Sequence, residues 1–283
     1  MITFWLFSRP RPDMSQEQFD YEWGVIHTSL MVTTPSVMRN FKRYIQHRRI
    51  AQAPREVATL VPSSPEDWYS ASAHDLEDFT QLRDDIFGGP EYPRRMFGHK
   101  FGDTAFVIEL TSPDVVHEES AFERSKGGVK LINVLKRKEG ITQEQFTRAW
   151  REGYADRFLE AASNSGVVVQ RYVQNTQLPL EAETFAGTLF EAGGVQNYAG
   201  IEEIWVDDLD SLQALGTDLC RSALNAALGE FVDIAASFSL VAVERVVWDQ
   251  TLGSPKPSIL DPNSFEARMV AAERPNNAWN TIV

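Results

Sequence analysis

Of the five histidines in the chain, His27 is the one whose spacing suits proton transfer. It lies four residues after Trp23 and eight after Phe19, so on a helix it shares their inward stripe and not the solvated face. An imidazole titrates near neutral pH and serves as acid or base; a core histidine bonded to a backbone carbonyl has the same spacing. Tyr44, in Arg43-Tyr44-Ile45-Gln46, and Tyr69 are phenols able to donate to a developing oxyanion. His47 follows Tyr44 closely and reads as a solvated strand end, with a substrate contact as the second reading. His99 sits in Gly98-His99-Lys100-Phe101-Gly102, a surface loop or the closure of a pocket mouth, and His117 lies in a polar stretch where no role is expected. Trp5, Phe7, Trp23, Phe41 and Trp68 supply rings for an apolar pocket, although core packing uses the same rings.

Other chemistries lack their residues. There is no His-x-x-x-His, His-Glu-x-x-His or Cys/His spacing for a metal, and the histidines fall on separate elements. No glycine-rich phosphate loop follows a strand, and no Gly-x-Ser-x-Gly elbow occurs. Metal, haem and nucleotide cofactors are therefore not expected. The single cysteine, Cys220, stands among Leu219, Leu224 and Leu228 and reads as a small buried hydrophobe.

The elements that must position these groups are written twice. Ser15-Gln16-Glu17-Gln18-Phe19 with Trp23 returns as Thr142-Gln143-Glu144-Gln145-Phe146 with Trp150, and Arg43-Tyr44-Ile45-Gln46 returns as Arg171-Tyr172-Val173-Gln174. Each Ser/Thr-x-x-Gln is a capping box that starts a helix. Ile2–Phe7 and Val129–Leu135 precede the boxes as strands, the first apolar on both faces, and Pro35 stops or bends the first helix. Second strands are expected at Phe41–Gln46 and Val167–Val173, third strands at Trp68–Ala73 and Ile201–Val206, and fourth strands at Ala105–Leu110 and Leu240–Val247. On the first of the second strands, Phe41, Arg43, Ile45 and His47 share one face, and Tyr44 and Gln46 the other. Second helices open at Asp75-Leu76-Glu77-Asp78-Phe79 and Asp208-Leu209-Asp210-Ser211-Leu212, acidic at their positive ends.

Each copy thus reads β-α-β-β-α-β, the ferredoxin-like order. The expected units are residues 1–111 and 129–250, with a linker at 112–128 and a proline-containing tail at 251–283. Where the copies differ, chemistry is to be sought: Tyr154 replaces His27, Asn175 replaces His47, Tyr69 falls opposite Glu202, and Asn133 replaces Leu6 and needs a partner.

Lysine and arginine number 27 against 40 acidic residues, a net charge of −13, which disfavours nucleic acid as a partner. The basic group Lys42, Arg43, Arg48 and Arg49 reads as a solvated strand end. No run approaches a membrane span, and a cytoplasmic location is expected.

The second copy carries a family pattern most fully: Leu131 to Lys138, Thr142 to Phe146, Trp150, Arg171 to Asn175, and Gly200-Ile201-Glu202-Glu203-Ile204-Trp205. It resembles the EthD-domain proteins of the dimeric α+β barrel superfamily, and the resemblance covers both copies without the tail. The resemblance implies two ferredoxin-like units packed sheet against sheet as a pseudo-dimeric barrel in one chain. It also implies that a histidine commonly follows the helix tryptophan, as His27 follows Trp23. Relatives include cofactor-free monooxygenases, isomerases, polyketide cyclases and dehydratases, and haem enzymes, some in natural-product and xenobiotic metabolism. The expected activity is a cofactor-independent dehydratase or cyclase acting on a small aromatic or polyketide-like molecule. His27 would be base and then acid, Tyr44 or Tyr69 would stabilise the enolate, and Trp5, Phe7, Trp23, Phe41, His47, Trp68 and His99 would contact substrate. The alternatives are a cofactor-free monooxygenase of a phenolic or anthrone-like substrate and a non-catalytic carrier. The sequence admits a homodimer.

Overall fold

The computed structural model describes residues 1–51, 53, 67–87, 101–124, 128–180, 184–186, 190 and 198–252. His99 and the tail from residue 253, with Trp279, lie outside these residues. The described chain is an α+β structure whose eight strands close into one barrel. These are β1 (Ile2–Ser8), β2 (Phe41–Arg49), β3 (Ser70–Leu76), β4 (Val107–Glu118), β5 (Val129–Leu135), β6 (Arg171–Gln177), β7 (Gly200–Val206) and β8 (Phe238–Asp249). They run in the order β1-β3-β2-β8-β5-β7-β6-β4, and every neighbouring pair is antiparallel.

The two longest strands make the closure. The start of β4 pairs with β1, and from Thr111 onward it pairs with β6 of the second half. Likewise β8 pairs first with β5 and then, from Ala242, with β2 of the first half. A ring closed this way exposes no free edge. The stretch from Thr111 that reads as linker therefore begins as strand through Glu118. The second strand of the second copy lies at Arg171–Gln177, later than Val167–Val173. Asp75 and Leu76 end β3 instead of opening a helix, because Asp75 is held by the Thr3 hydroxyl at 2.7 Å and by Arg43. The helix cap there is Asp78.

Both capping boxes form. Ser15 and Thr142 accept from the amides of Gln18 and Gln145, whose side chains reach back to the cap amides. They open α1 (Gln16–Tyr21) and, in the second half, a helix over Gln143–Ala149. Each then widens into a π-helical turn, Glu22–His27 and Trp150–Tyr154, before resuming as α2 (Thr28–Thr33) and as the helix Ala155–Asn164. Pro35 begins α3 (Pro35–Asn40), a new direction for the chain. After β3 come α4 (Phe79–Gln81) and a third π-helical turn, Leu82–Phe87; the second half has helices Leu209–Leu215 and Asp218–Leu228.

Alternation along the strands divides the core by face. Trp5, Phe7, Ile45, Ala71, Ile132, Ile201, Phe238 and Leu240 belong to the core of the barrel interior. Phe4, Phe41, Tyr44, Leu76 and Leu110 pack instead under the first-half helices, joined by Phe185 and Phe190 from the β6–β7 connection. Leu131, Phe146, Trp150, Phe158, Tyr172 and Ile204 fill the corresponding second-half layer, together with the buried Cys220. Gly200 is required here, since a Cβ would stand 2.6 Å from the Trp150 ring. Among the described residues, no helix is long and apolar enough to cross a membrane.

Candidate functional site

The π-helical turns explain the retained Trp, Tyr and Gln. A π turn displaces backbone carbonyls from the regular ladder, and such turns are frequent at functional sites. In the first half the Trp23 carbonyl accepts from Gln46 Nε2 at 3.0 Å and from the Thr28 hydroxyl at 3.3 Å; Gln46 also donates to the Tyr44 oxygen at 2.9 Å. In the second half Gln174 donates to the Trp150 carbonyl at 3.2 Å and to the Tyr172 oxygen at 2.8 Å. One bracket of Trp, Gln and Tyr therefore ties helix to sheet in both halves. The residue that ends each π turn is the divergent one, His27 or Tyr154.

In the first half His27 is 9% exposed and lies edge-on to Tyr44, with ring centroids 6.3 Å apart, and to Phe101 at 5.4 Å. Beyond Tyr44 lies a second imidazole. His74 stacks on Tyr44 at 4.4 Å and packs against Phe41 at 4.9 Å, and its Nδ1 is 3.3 Å from the Phe4 carbonyl. Burial, aided by the neighbouring His27, pushes His74 down to about 3, so this imidazole is neutral at physiological pH. Tyr44 is fully buried, and loss of hydration pushes it up to about 12 despite the neighbouring Ser72, Gln46 and Arg245. It remains a phenol. Trp23 donates its indole N–H to Ser72 at 3.2 Å.

The second-half layer places a carboxylate where the first has Ser72. The register pairs Leu6 with Ser72 and Asn133 with Glu202, so Glu202 corresponds to Ser72 and not to Tyr69. Fully buried, Glu202 accepts from Trp150 Nε1 at 2.6 Å and the Tyr172 hydroxyl at 2.7 Å on Oε1, and from Asn133 Nδ2 at 3.0 Å on Oε2. Asn133 thereby has its partner. Burial raises Glu202 above the ordinary carboxylate range even against these three donors.

The barrel interior holds a third polar group. The Lys130 ammonium, from β5, donates to His47 Nε2 at 2.7 Å and to Glu244 at 2.8 Å, pairs with Glu203, and lies 4.0 Å from the Trp205 ring centre. His47 Nδ1 is 3.2 Å from the Ala71 carbonyl, which fits the tautomer that donates there and accepts from Lys130. Burial first, and then Lys130, lowers its pKa. Burial opposes ionisation of Glu244, but Lys130, His47 and Arg124 together hold it well below the usual range. The ligand atoms of His47, Glu203 and Glu244 lie within 4.8 Å of one another, the spacing of a metal site. Lys130 stands among them as the cation, so a metal ion would have to displace a charge already satisfied.

The aromatic set expected around one pocket is thus divided. Trp23, Phe41 and Tyr44 lie in the helix-side layer with His27. Phe41 joins Tyr44's side because the β2–β3 register shifts between Phe41 and Arg43. Trp5, Phe7 and Trp68 lie in the barrel-interior core, with Trp5 stacked on His47 at 5.4 Å. His47 is fully buried, not a solvated strand end, and Arg43 is mostly buried against Asp75 and Asp249. Tyr69 packs on Phe19, but its hydroxyl donates to Asp20 at 3.0 Å and accepts from Arg48 at 3.1 Å, away from His27. His117 is partly exposed beside Glu119. The groups to which the sequence assigned no role are His74, Phe185, Phe190, Lys130, Glu203 and Glu244. Their signal is the register of the strands, which spacing along the chain does not carry.

Comparison with known proteins agrees with this architecture. None of the curated proteins matches the chain. An anthrone oxidase-like protein shares the fold at a TM-score of 0.51 and 10% identity, over 87% of this chain and 92% of that one. A candidate monooxygenase from Fusobacterium nucleatum subsp. nucleatum aligns at a TM-score of 0.46 and 9% identity, over 87% and 91%. A dimeric ferredoxin-like protein of unknown function from Thermobifida fusca aligns at 0.26 and 16% identity, over 46% of this chain and 98% of that one. In sequence, residues 138–235, which contain Tyr154, Tyr172 and Glu202, match the model of the EthD domain.

Proposed function

We propose that the chain is a cofactor-independent acid–base enzyme, a dehydratase or cyclase of a small aromatic or polyketide-like molecule, working in the first-half layer. One observation carries the reading: the shared π turn ends on an imidazole in this half alone, beside a buried phenol and a ring-rich wall. His27 takes a proton from a carbon next to a carbonyl, and the electron pair of that C–H bond becomes an enolate. Tyr44 donates to the enolate oxygen, since its own oxygen is already supplied by Gln46. The imidazolium then gives its proton to a departing hydroxide, releasing water and leaving a double bond, or to the alkoxide formed on ring closure. Trp23 and Phe41 flank the substrate. Trp5, Phe7, His47 and Trp68 have no part in this step, because they belong to the other face of the sheet.

The same reading takes residues 1–111 and 129–250 as tandem ferredoxin-like units, supported by paired capping boxes, π turns and strand orders. A second reading, prompted by the name of the anthrone oxidase-like relative, keeps His27 as base. The carbanion would pass its electrons to dioxygen, form a peroxide and lose water to leave a carbonyl. Aromatic polyketide-type compounds incubated with pure protein, with product mass and dissolved oxygen followed together, separate these readings. Loss of water or isomerisation without oxygen uptake, abolished in His27→Ala and His27→Gln, is expected. Oxygen uptake selects the second reading, binding without product selects a carrier, and full turnover in both variants removes His27 from the mechanism.

A further inference from the structure

The two helix-side layers are built on one scaffold but differ at three positions that meet in space. Leu6, His27 and Ser72 in the first half stand where Asn133, Tyr154 and Glu202 stand in the second. Trp, Tyr and Gln are retained in both, so the bracket of helix on sheet does not need these substitutions. The first half forms the same bracket without a carboxylate. A buried carboxylate is costly to desolvate, and its presence in only one of two equivalent layers separates it from the requirements of folding.

The hydrogen bonds around Glu202 are unevenly distributed. Oε1 takes two donors, whereas Oε2 takes only Asn133 Nδ2 and retains acceptor capacity. Nearby, Asn133 Oδ1 and Gln174 Oε1 are buried without a hydrogen-bond partner. Tyr154 is 3% exposed, and its hydroxyl makes no hydrogen bond among the described residues. Burial first, and then the Glu202 charge, holds that phenol well above its ordinary value, which marks the two groups as neighbours. Spare acceptors on Glu202, Asn133 and Gln174 and the Tyr154 hydroxyl therefore belong to one layer with Trp150, Phe158 and Tyr172. One phenolic hydroxyl complements this arrangement: it donates to a carboxylate oxygen and accepts from a phenol, while its ring meets the aromatic wall.

We propose that the second half carries a ligand site of its own, in which Glu202 accepts from, and Tyr154 donates to, the hydroxyl of a small phenolic molecule. The site does not depend on His27. No covalent step is involved; the ligand proton is shared with Glu202 Oε2.

The test uses the full chain carrying His27→Ala, which removes the first-half imidazole, and 2-naphthol as probe. Excited naphthol releases its proton to an adjacent base, so the bound probe reports a carboxylate at its hydroxyl by naphtholate emission. Saturable binding with naphtholate emission is expected. In the same background, Glu202→Gln should weaken binding about tenfold, the loss of one charge-assisted hydrogen bond, and return the bound emission to the neutral form. Tyr154→Phe should weaken binding severalfold and keep the naphtholate emission. Circular dichroism checks that each variant folds. If Glu202→Gln does not fold, Tyr154→Phe together with the protected emission of the parent decides the matter. Absence of saturable binding, or binding and emission unchanged in Glu202→Gln, overturns the site; unchanged binding in Tyr154→Phe removes Tyr154 from it.

Discussion

Replacing Lys130 by methionine should lower the stability of the whole barrel. Methionine keeps an unbranched stem of similar length, so the change removes the ammonium with little loss of packing. Lys130 is 1% exposed, and around it stand the carboxylates of Glu203 and Glu244, the imidazole of His47 and the Trp205 ring. Removing one partner from such a group leaves buried charge uncompensated and costs about 3–5 kcal/mol. Arg124 remains bonded to Glu244 at 2.7 Å, which leaves the buried Glu203 as the one carboxylate without a cation and favours the lower end of the range. At about 2.1 cal/mol/K per residue, unfolding of 283 residues carries an entropy of about 0.6 kcal/mol/K, so the midpoint should fall by about 5–8 °C. Differential scanning calorimetry at pH 7 reads this shift. Lys130→Met combined with Glu203→Gln should recover most of it, because the unpaired carboxylate goes with the lysine while Arg124 keeps Glu244. A single variant that melts within about 2 °C of the parent would refute the argument that Lys130 is an indispensable buried cation.

Acid should weaken the fold partly through His74. Its pKa is about 3 in the folded chain against 6.5 unfolded. Between those values the unfolded chain binds a proton that the folded one refuses, so stability falls with falling pH by up to about 1.4 kcal/mol per unit. At pH 5 the His74 contribution is about 2 kcal/mol. Glu109 and Glu202, raised by burial, act in the opposite sense above pH 4.5, so the readout is the difference from His74→Phe. Urea midpoints at pH 7 and 5 should separate the parent from that variant, and identical pH dependence in both contradicts the assignment. At the helix starts, Ser15→Ala and Thr142→Ala should each cost about 1 kcal/mol and add in the double variant, since the caps share no partner. Strong non-additivity in denaturant titrations would tell against independent caps.

Local chemistry was legible in the sequence wherever one residue acts on its near neighbours along the chain. The capping boxes, the break at Pro35, the inward stripe ending at His27 and the burial of Cys220 all follow from spacing of a few residues, and all are present. What the sequence concealed depends on register. A shift between Phe41 and Arg43 moved Phe41 to the Tyr44 side. Pairing of β2 with β8 buried His47, which along the chain looks like the end of a charged strand. Glu202 found its true counterpart, Ser72, only when both were read against β1 and β5. The π turns leave little trace in composition; their sign is the glutamine two residues beyond the tyrosine, which reaches the displaced carbonyl.

The charged group inside the barrel gives a physical reason for joining both halves in one chain. His47 comes from the first half, while Lys130, Glu203 and Glu244 come from the second. By register, the mirror positions hold Asn175 opposite Pro113 on β4, and Thr3 stands where Lys130 does. Asn175, itself uncharged, donates to the Ile201 carbonyl and to the Glu203 carboxylate. Two identical chains would have to place a lysine, a histidine and two carboxylates at both positions or at neither, doubling the buried charge in one small interior. A single chain can build the charged group once and place the uncharged Thr3 and Asn175 at the mirror positions. The same freedom operates in the helix-side layers, where one turn ends on an imidazole and the other on a phenol. Because β4 and β8 each pair across to the opposite half, either side can then diverge while its partner continues to hold the sheet closed.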